Sequence, residues 1–114
     1  MHKGVVLTVI AVAALSACEE VSSILPSRLE CGGTEAALCQ QVARLGIAQM
    51  NLAATGPITE ASLETLDCAR AGKASFHSTW ADAEACWRVT VTGERSHGGG
   101  VVVLWPNGDL EPFW

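Results

Sequence analysis

The fold is decided by Cys86-Trp87-Arg88-Val89-Thr90-Val91-Thr92 together with Val101-Val102-Val103-Leu104-Trp105. The first stretch alternates apolar and polar residues, which is typical of a strand with one buried face. The second is apolar at every position and predicts an interior strand that is covered on both faces. We expect helices to cover one face of the sheet, and either a tether that precedes the helices or a partner molecule to cover the other.

Two connections link these strands to their neighbours. The segment Gly93-Glu94-Arg95-Ser96-His97-Gly98-Gly99-Gly100 is too long for a tight turn and predicts a mobile hairpin tip. Pro106-Asn107-Gly108 predicts a sharp turn, because proline fixes φ and glycine accepts the left-handed backbone region. The chain from Asp109 to Trp114 should then return as a third antiparallel strand.

The chain before these strands predicts two helices. Thr34 suits an N-cap, and apolar residues recur at helical spacing over residues 35–54, with Gly46 as a potential break. A second helix is predicted from Thr59 until just before Gly72, with an apolar strip formed by Ile58, Leu63 and Leu66. The expected fold class is therefore α+β: two helices followed by a three-stranded antiparallel β-meander.

Composition excludes several classes of protein. Of the 114 residues, 49% are hydrophobic and 17% are charged, which argues against intrinsic disorder. The chain has twelve acidic and seven basic residues, and its net charge of -5 argues against a basic surface for nucleic acid. We expect one small folded domain with no nucleic-acid partner.

The N-terminus predicts export. After Met1-His2-Lys3 the chain is uncharged until Cys18, as in a secretory signal peptide, and the apolar run is too short to span a bilayer. The apolar segment ends in Leu15-Ser16-Ala17-Cys18, which resembles the lipobox of bacterial lipoproteins. The resemblance implies that Cys18 receives a diacylglyceryl group and becomes the first residue of the mature protein. The alternative is a conventional signal peptide followed by an ordinary cysteine.

This interpretation divides the chain into three parts: a signal peptide over 1–17, a lipidated flexible tether over 18–33, and a small α+β domain over 34–114. Two or three acyl chains would anchor the protein to a membrane more firmly than one. Glu19 and Glu20 occupy the positions of lipoprotein sorting signals. We expect the protein to face the periplasm, with the outer membrane favoured over the inner.

Four cysteines remain once Cys18 is assigned to lipid: Cys31, Cys39, Cys68 and Cys86. An even number in a small exported chain predicts two disulfides. Three pairings are possible, of which we favour Cys31–Cys39 and Cys68–Cys86, because both loops are short. The alternative, a metal site completed by His77 and His97, is disfavoured because no Cys-x-x-Cys is present. We expect neither a metal nor another cofactor.

Four tryptophans are the other unusual feature. Trp87 and Trp105 fall on predicted neighbouring strands and should fill the interface between sheet and helices. Trp80 and Trp114 are less easily buried and could mark an exposed apolar patch. Together with His97 in the glycine-rich segment, they form the candidate binding surface.

Catalysis is not expected. His97-Gly98-Gly99-Gly100 is similar to the oxyanion-hole motif of some lipases and esterases, but the chain has no Gly-x-Ser-x-Gly nucleophile motif. Ser96, His97 and Asp109 match a catalytic triad only by residue type.

Two functional hypotheses follow. In the first, the chain is a non-catalytic lipoprotein of the bacterial envelope that binds another envelope protein. In the second, residues 60–111 resemble PepSY-type domains in their order of a helix, a hairpin with a glycine-rich tip and an Asn-Gly turn. That resemblance implies an inhibitor of an exported hydrolase acting through the 93–100 loop.

Overall fold

The computed structural model describes residues 25–114, so the signal peptide, the lipobox and Cys18 lie outside the described residues. The strands are β1 (Arg28–Glu30), β2 (Ile58–Leu66), β3 (Ala85–Gly93), β4 (His97–Leu104) and β5 (Leu110–Phe113). The helices are α1 (Ala36–Ala48), α2 (Leu52–Thr55) and α3 (Cys68–Ala74), and a 3₁₀ helix follows at Ser78–Asp82. No helix in residues 25–114 is both long and apolar enough to cross a membrane.

The five strands form one mixed sheet in the order β1-β2-β3-β4-β5. Strand β1 is parallel to β2, and every other neighbouring pair is antiparallel. The α+β class is thus confirmed, and so is the antiparallel meander β3-β4-β5. The predicted meander is, however, only part of a larger sheet, because β2 and β1 extend it beyond β3.

The predicted second helix is wrong in its first half. Residues 58–66 form β2, which pairs with β3 from Ile58↔Gly93 to Leu66↔Cys86, and only Cys68–Ala74 is helical. Ala61 and Leu63 are buried two positions apart, so the relevant period is that of a strand. Ile58, Leu63 and Leu66 have helical spacing in the sequence, but pairing with β3 makes this segment a strand.

The predicted first helix is divided in two. Helix α1 ends at Ala48, and α2 begins after Asn51, whose side-chain oxygen accepts the N–H of Ala53 at 3.1 Å. Gly46 does not break the helix. It lies buried within α1, where an added β-carbon would be 2.7 Å from Val89 Cγ1. The glycine therefore allows α1 to approach the sheet closely.

Part of the segment expected to be a tether belongs to the fold. Strand β1 lies at residues 28–30, and Leu29 packs against the core. Parallel strands require a crossover connection, and here α1 and α2 supply it between β1 and β2. The folded domain therefore begins before the expected boundary at residue 34.

Both faces of the sheet carry a buried cluster. The cluster between α1 and the sheet consists of Cys39, Val42, Ala43 and Ile47 from the helix and Leu63, Trp87, Val89, Val91 and Val102 from the strands. On the opposite face, Trp80 from the 3₁₀ helix packs with Cys86 and Val103. This arrangement confirms that β4 is apolar because it is covered on both sides. The tether does not provide the cover of the Trp80 cluster, because α3 and the 3₁₀ helix cover part of this face. Cover of the remainder by a partner stays a prediction.

Two disulfides join these layers. Cys31 pairs with Cys39 at a Cα–Cα distance of 5.6 Å, and Cys68 pairs with Cys86 at 5.4 Å. The first links the end of β1 to α1, and the second links α3 to β3. Both favoured pairings are confirmed.

All five strands, both clusters and both disulfides lie within residues 25–114, so a chain that begins at residue 18 keeps the whole described fold.

The glycine-rich segment is not a mobile tip. Gly98–Gly100 lie within β4, and the turn is limited to residues 94–96. That turn is attached to the preceding chain, since Arg95 N–H donates to Thr55 O at 2.8 Å and Glu94 N–H donates to Pro57 O at 3.1 Å. The loop available to the inhibitor hypothesis is therefore the short exposed turn at residues 94–96, and that hypothesis stays a prediction.

The turn at Pro106-Asn107-Gly108 is confirmed. Gly108 N–H donates to Trp105 O at 2.9 Å, and Gly108 has a φ of 94°. This is a turn in which glycine takes the left-handed position before the next strand begins. Strand β5 returns antiparallel to β4, as expected.

Candidate interaction surface

His77, Phe113 and Trp114 line one cavity where α3 ends beside β5, and Phe76 precedes His77 in the chain. We call them the aromatic surface: Phe76, His77, Phe113 and Trp114. A shallow cavity of about 500 Å³ at this end of the sheet is lined by His77, Phe113 and Trp114, with Trp80 at its base. The surface combines a helix end with the last strand of the sheet.

Phe76 is the most unusual residue of this surface. Its side chain is 97% exposed, and its backbone has a φ of 60°, the one positive value among the non-glycine residues of the described chain. His77 N–H donates to Gly72 O at 2.7 Å, and Phe76 N–H points to Lys73 O at 3.5 Å. This is the Schellman C-cap, whose left-handed position is usually glycine. Phenylalanine here adds backbone strain and gains almost no burial.

Trp80 supports the surface from below. It is 1% exposed, so the expectation that Trp80 is an accessible patch residue is wrong. The His77 ring stacks on it with centroids 4.7 Å apart, and Phe113 meets it edge-on at 4.9 Å. Stacked and edge-on pairs are favourable aromatic geometries. Trp80 therefore supports the rings of His77 and Phe113 and is not itself accessible to a ligand.

Trp114 packs across the edge of the sheet. Its side chain is 42% exposed, and its ring lies against Gly46 of α1 and Gly100 of β4. A β-carbon at Gly100 would overlap the Trp114 ring, so the glycine makes room for it. The partial exposure of Trp114 agrees with the expectation that it forms part of an accessible patch.

The structure does not bring His97 to the aromatic surface. His97 is exposed at the start of β4, whereas Val101, which pairs with Phe113, lies four residues further along. At about 3.3 Å per residue the separation along the strand is roughly 13 Å. Of the three residues predicted to form one binding surface, Trp114 remains exposed there, Trp80 lies beneath it and His97 lies elsewhere.

The other two tryptophans are structural. Trp87 is buried, and its Nε1–H donates to Thr34 Oγ1 at 3.0 Å. Trp105 is half-buried beside the Trp80 cluster, and its Nε1–H donates to Glu111 Oε1 at 3.0 Å. They fill opposite faces of the sheet, not one shared interface.

The candidate triad is not assembled. Ser96 and His97 lie at the β3–β4 turn, while Asp109 follows the turn at the far end of β4. The length of β4, about 25 Å, separates them. Within residues 25–114 no group of three or more His, Cys, Asp or Glu side chains is placed to hold a metal ion. All four cysteines in this part of the chain are in disulfides.

Sequence reasoning missed Phe76, His77 and Phe113. The available signal was the segment Gly72-Lys73-Ala74-Ser75-Phe76, in which a helix end lacks a glycine at the left-handed position. The sequence-based prediction ended the helix just before Gly72, so the left-handed position after the helix was assigned to this glycine. In the structure the helix ends at Ala74, and the left-handed position is Phe76.

Comparison with known proteins provides no relative: neither a protein-family model, nor a curated protein, nor a solved structure matches the chain. Functional inference therefore depends on the residues and geometry described above.

Proposed function

We propose that this chain is a non-catalytic lipoprotein of the bacterial envelope that binds another envelope protein through its aromatic surface. Acyl chains on Cys18 would anchor it, and the domain would face the periplasm, with the outer membrane favoured over the inner. The anchor would confine binding to partners at the same membrane.

The observation that carries the binding role is Phe76. A left-handed backbone costs an L-residue roughly 1–2 kcal/mol, which burial of the side chain would normally offset. Phe76 is 97% exposed, so the isolated domain receives almost no such compensation. A partner that covers the ring would supply it, and exposed aromatic residues are frequent anchors of protein interfaces.

The disulfides support export. Cytosolic thiols are kept reduced, whereas small exported domains commonly use disulfides to supplement a limited core. Cys39 and Cys86 are both buried at the junction of helix and sheet, so each disulfide is part of a core cluster. Such a domain suits an oxidising compartment.

A non-catalytic role agrees with the placement of the polar residues. The residue types that could form a hydrolytic triad lie at opposite ends of β4. The aromatic surface contains one titratable side chain, His77, whose ring is stacked on Trp80. Its features are those of a contact surface.

The test is photocrosslinking in native membranes. A photoreactive amino acid replaces Ser75, which is exposed and lines the cavity beside the aromatic surface. We expect one dominant crosslinked protein, with a yield that falls several-fold when Phe76→Gly or Phe76→Ala is added. Both substitutions remove the ring, so both should weaken the complex.

Gln41→Ala provides the matched control, because Gln41 is exposed on α1, away from the aromatic surface. It should leave the yield unchanged. Equal yields with and without the Phe76 ring would exclude the aromatic surface as the binding site. A separate measurement of acyl chains on Cys18 tests the membrane anchor.

A further inference from the structure

A second cavity lies between the end of α1, helix α2 and the β3–β4 turn. Its volume is about 650 Å³, within the usual range for small-ligand sites. We call it the arginine groove, and the residues of its lining that matter here are Arg44, Ile47, Met50, Leu52, Ile58 and Arg95. It shares no lining residue with the cavity at the aromatic surface.

Two guanidinium groups line this groove. The Arg95 guanidinium lies against Gly56: a β-carbon added at Gly56 would be 3.3 Å from Arg95 Cζ. Arg95 Nη2–H also donates to Ala53 O at 3.1 Å. Arg44 Nε is buried and has no hydrogen-bond partner among residues 25–114. A guanidinium carries five N–H donors, so both groups retain donors for a ligand.

Neither arginine has an acidic partner in the part of the chain that the structure describes, where the recorded ion pair joins Arg88 to Glu64. This is unusual in a protein with twelve acidic and seven basic residues. A buried donor without an acceptor is costly, and an anion beside Arg44 would remove that cost.

The rest of the lining is aliphatic. Ile47, Met50 and Ile58 are buried or half-buried, while Leu52 is 55% exposed at the rim. These side chains include no aromatic ring, and methionine adapts its shape readily. The combination suits a flexible aliphatic chain with an anionic head.

We propose that the arginine groove binds a single-chain carboxylate amphiphile, with its carboxylate at Arg44 and Arg95 and its aliphatic chain along Ile47, Met50, Leu52 and Ile58. Arginine matches carboxylate geometry and can form paired hydrogen bonds with it. This site is independent of the partner surface at Phe76.

The experiment measures binding of decanoate by calorimetry. The protein is the chain from residue 18 with Cys18→Ser, which contains the whole described fold and carries no acyl chain of its own. We expect decanoate to bind, and the uncharged 1-decanol to bind about tenfold more weakly, the equivalent of one charge-assisted hydrogen bond. Arg44→Gln and Arg95→Gln should each weaken decanoate binding to a similar extent.

A substitution at the rim guards against loss of folding in the arginine variants. Leu52→Glu adds a carboxylate to the lining that Leu52 shares with Arg44 and Arg95, where it would compete with the ligand for the two arginines and place a charge along its aliphatic chain. Leu52→Gln has similar size and no charge. Leu52 is largely exposed, so both variants should fold. We expect Leu52→Glu to weaken decanoate binding several-fold more than Leu52→Gln does.

Three outcomes would overturn the proposal. The first is no binding of decanoate, and the second is equal affinity for decanoate and 1-decanol, which would indicate an apolar groove without anion recognition. The third is tighter binding of a short peptide ending in Leu-Leu with a free carboxylate, which would make the ligand a protein C-terminus.

Discussion

Replacing Phe76 with glycine should stabilise this domain, although the substitution removes an aromatic ring. Three contributions set the magnitude. Relief of the left-handed backbone gains roughly 1–2 kcal/mol. The side chain is 97% exposed, so its loss removes almost no packing. Glycine adds entropy to the unfolded chain, which costs about 0.4–1 kcal/mol. The net expectation is an increase of about 0.5–1 kcal/mol in the free energy of unfolding.

Urea unfolding with both disulfides intact measures this change. With an m-value of about 1–3 kcal/mol/M, the midpoint should rise by roughly 0.2–1 M. Phe76→Ala is the matched control, since it removes the ring and keeps the β-carbon that makes the left-handed backbone unfavourable. We expect Phe76→Ala to be close to neutral. The reasoning is refuted if Phe76→Gly destabilises the domain, or if Phe76→Ala stabilises it equally.

Three further predictions concern the close approach of α1 to the sheet, the first disulfide and the exposure of the tryptophans. Gly46→Ala should lower the free energy of unfolding by about 1 kcal/mol, because overpacking against Val89 and Trp114 exceeds the gain of about 1 kcal/mol in helix propensity; a rise in the urea midpoint would contradict this. Replacing both Cys31 and Cys39 with alanine should cost about 2–3 kcal/mol, the entropy of closing an 8-residue separation, and an unchanged midpoint would show that this disulfide adds nothing. Acrylamide should quench Trp114 more than Trp80, so Trp114→Phe should reduce the quenchable fluorescence more than Trp80→Phe; the reverse order would place Trp80 at the surface.

The strands that sequence predicts correctly are those with a strong local signal. Strand β3 alternates cleanly, β4 is apolar throughout, and Pro106-Asn107-Gly108 marks the turn into β5. The two short cysteine separations likewise agree with the observed disulfides. In each case, residues close together in sequence contain the information that determines the structure.

The elements that sequence does not predict depend on distant contacts. Strand β2 buries only Ala61 and Leu63 in its middle, and alanine contributes little to an apolar pattern. Strand β1 has three residues, too few to show a period, and it exists because β2 is beside it. Pairing between segments some thirty residues apart cannot be read from either segment alone.

The aromatic surface was only partly predictable for the same reason. Trp114 stands out in the sequence as a terminal aromatic residue, but the burial of Trp80 depends on the sheet face that α3 and the 3₁₀ helix cover. Phe76 becomes notable only when the end of α3 is known, because its significance lies in its backbone conformation. Arg44 and Arg95 come from a helix and a distant turn, and only the fold places them in one groove.

The central claim is that the protein is exported, anchored by lipid and stabilised by two disulfides. The most direct test is to measure the intact mass of the protein extracted from membranes and then to map its peptides without reduction. We expect a chain that begins at Cys18, carries a diacylglyceryl group there, and contains the linked pairs Cys31–Cys39 and Cys68–Cys86. A chain that begins at Met1 with five unmodified thiols would contradict the account.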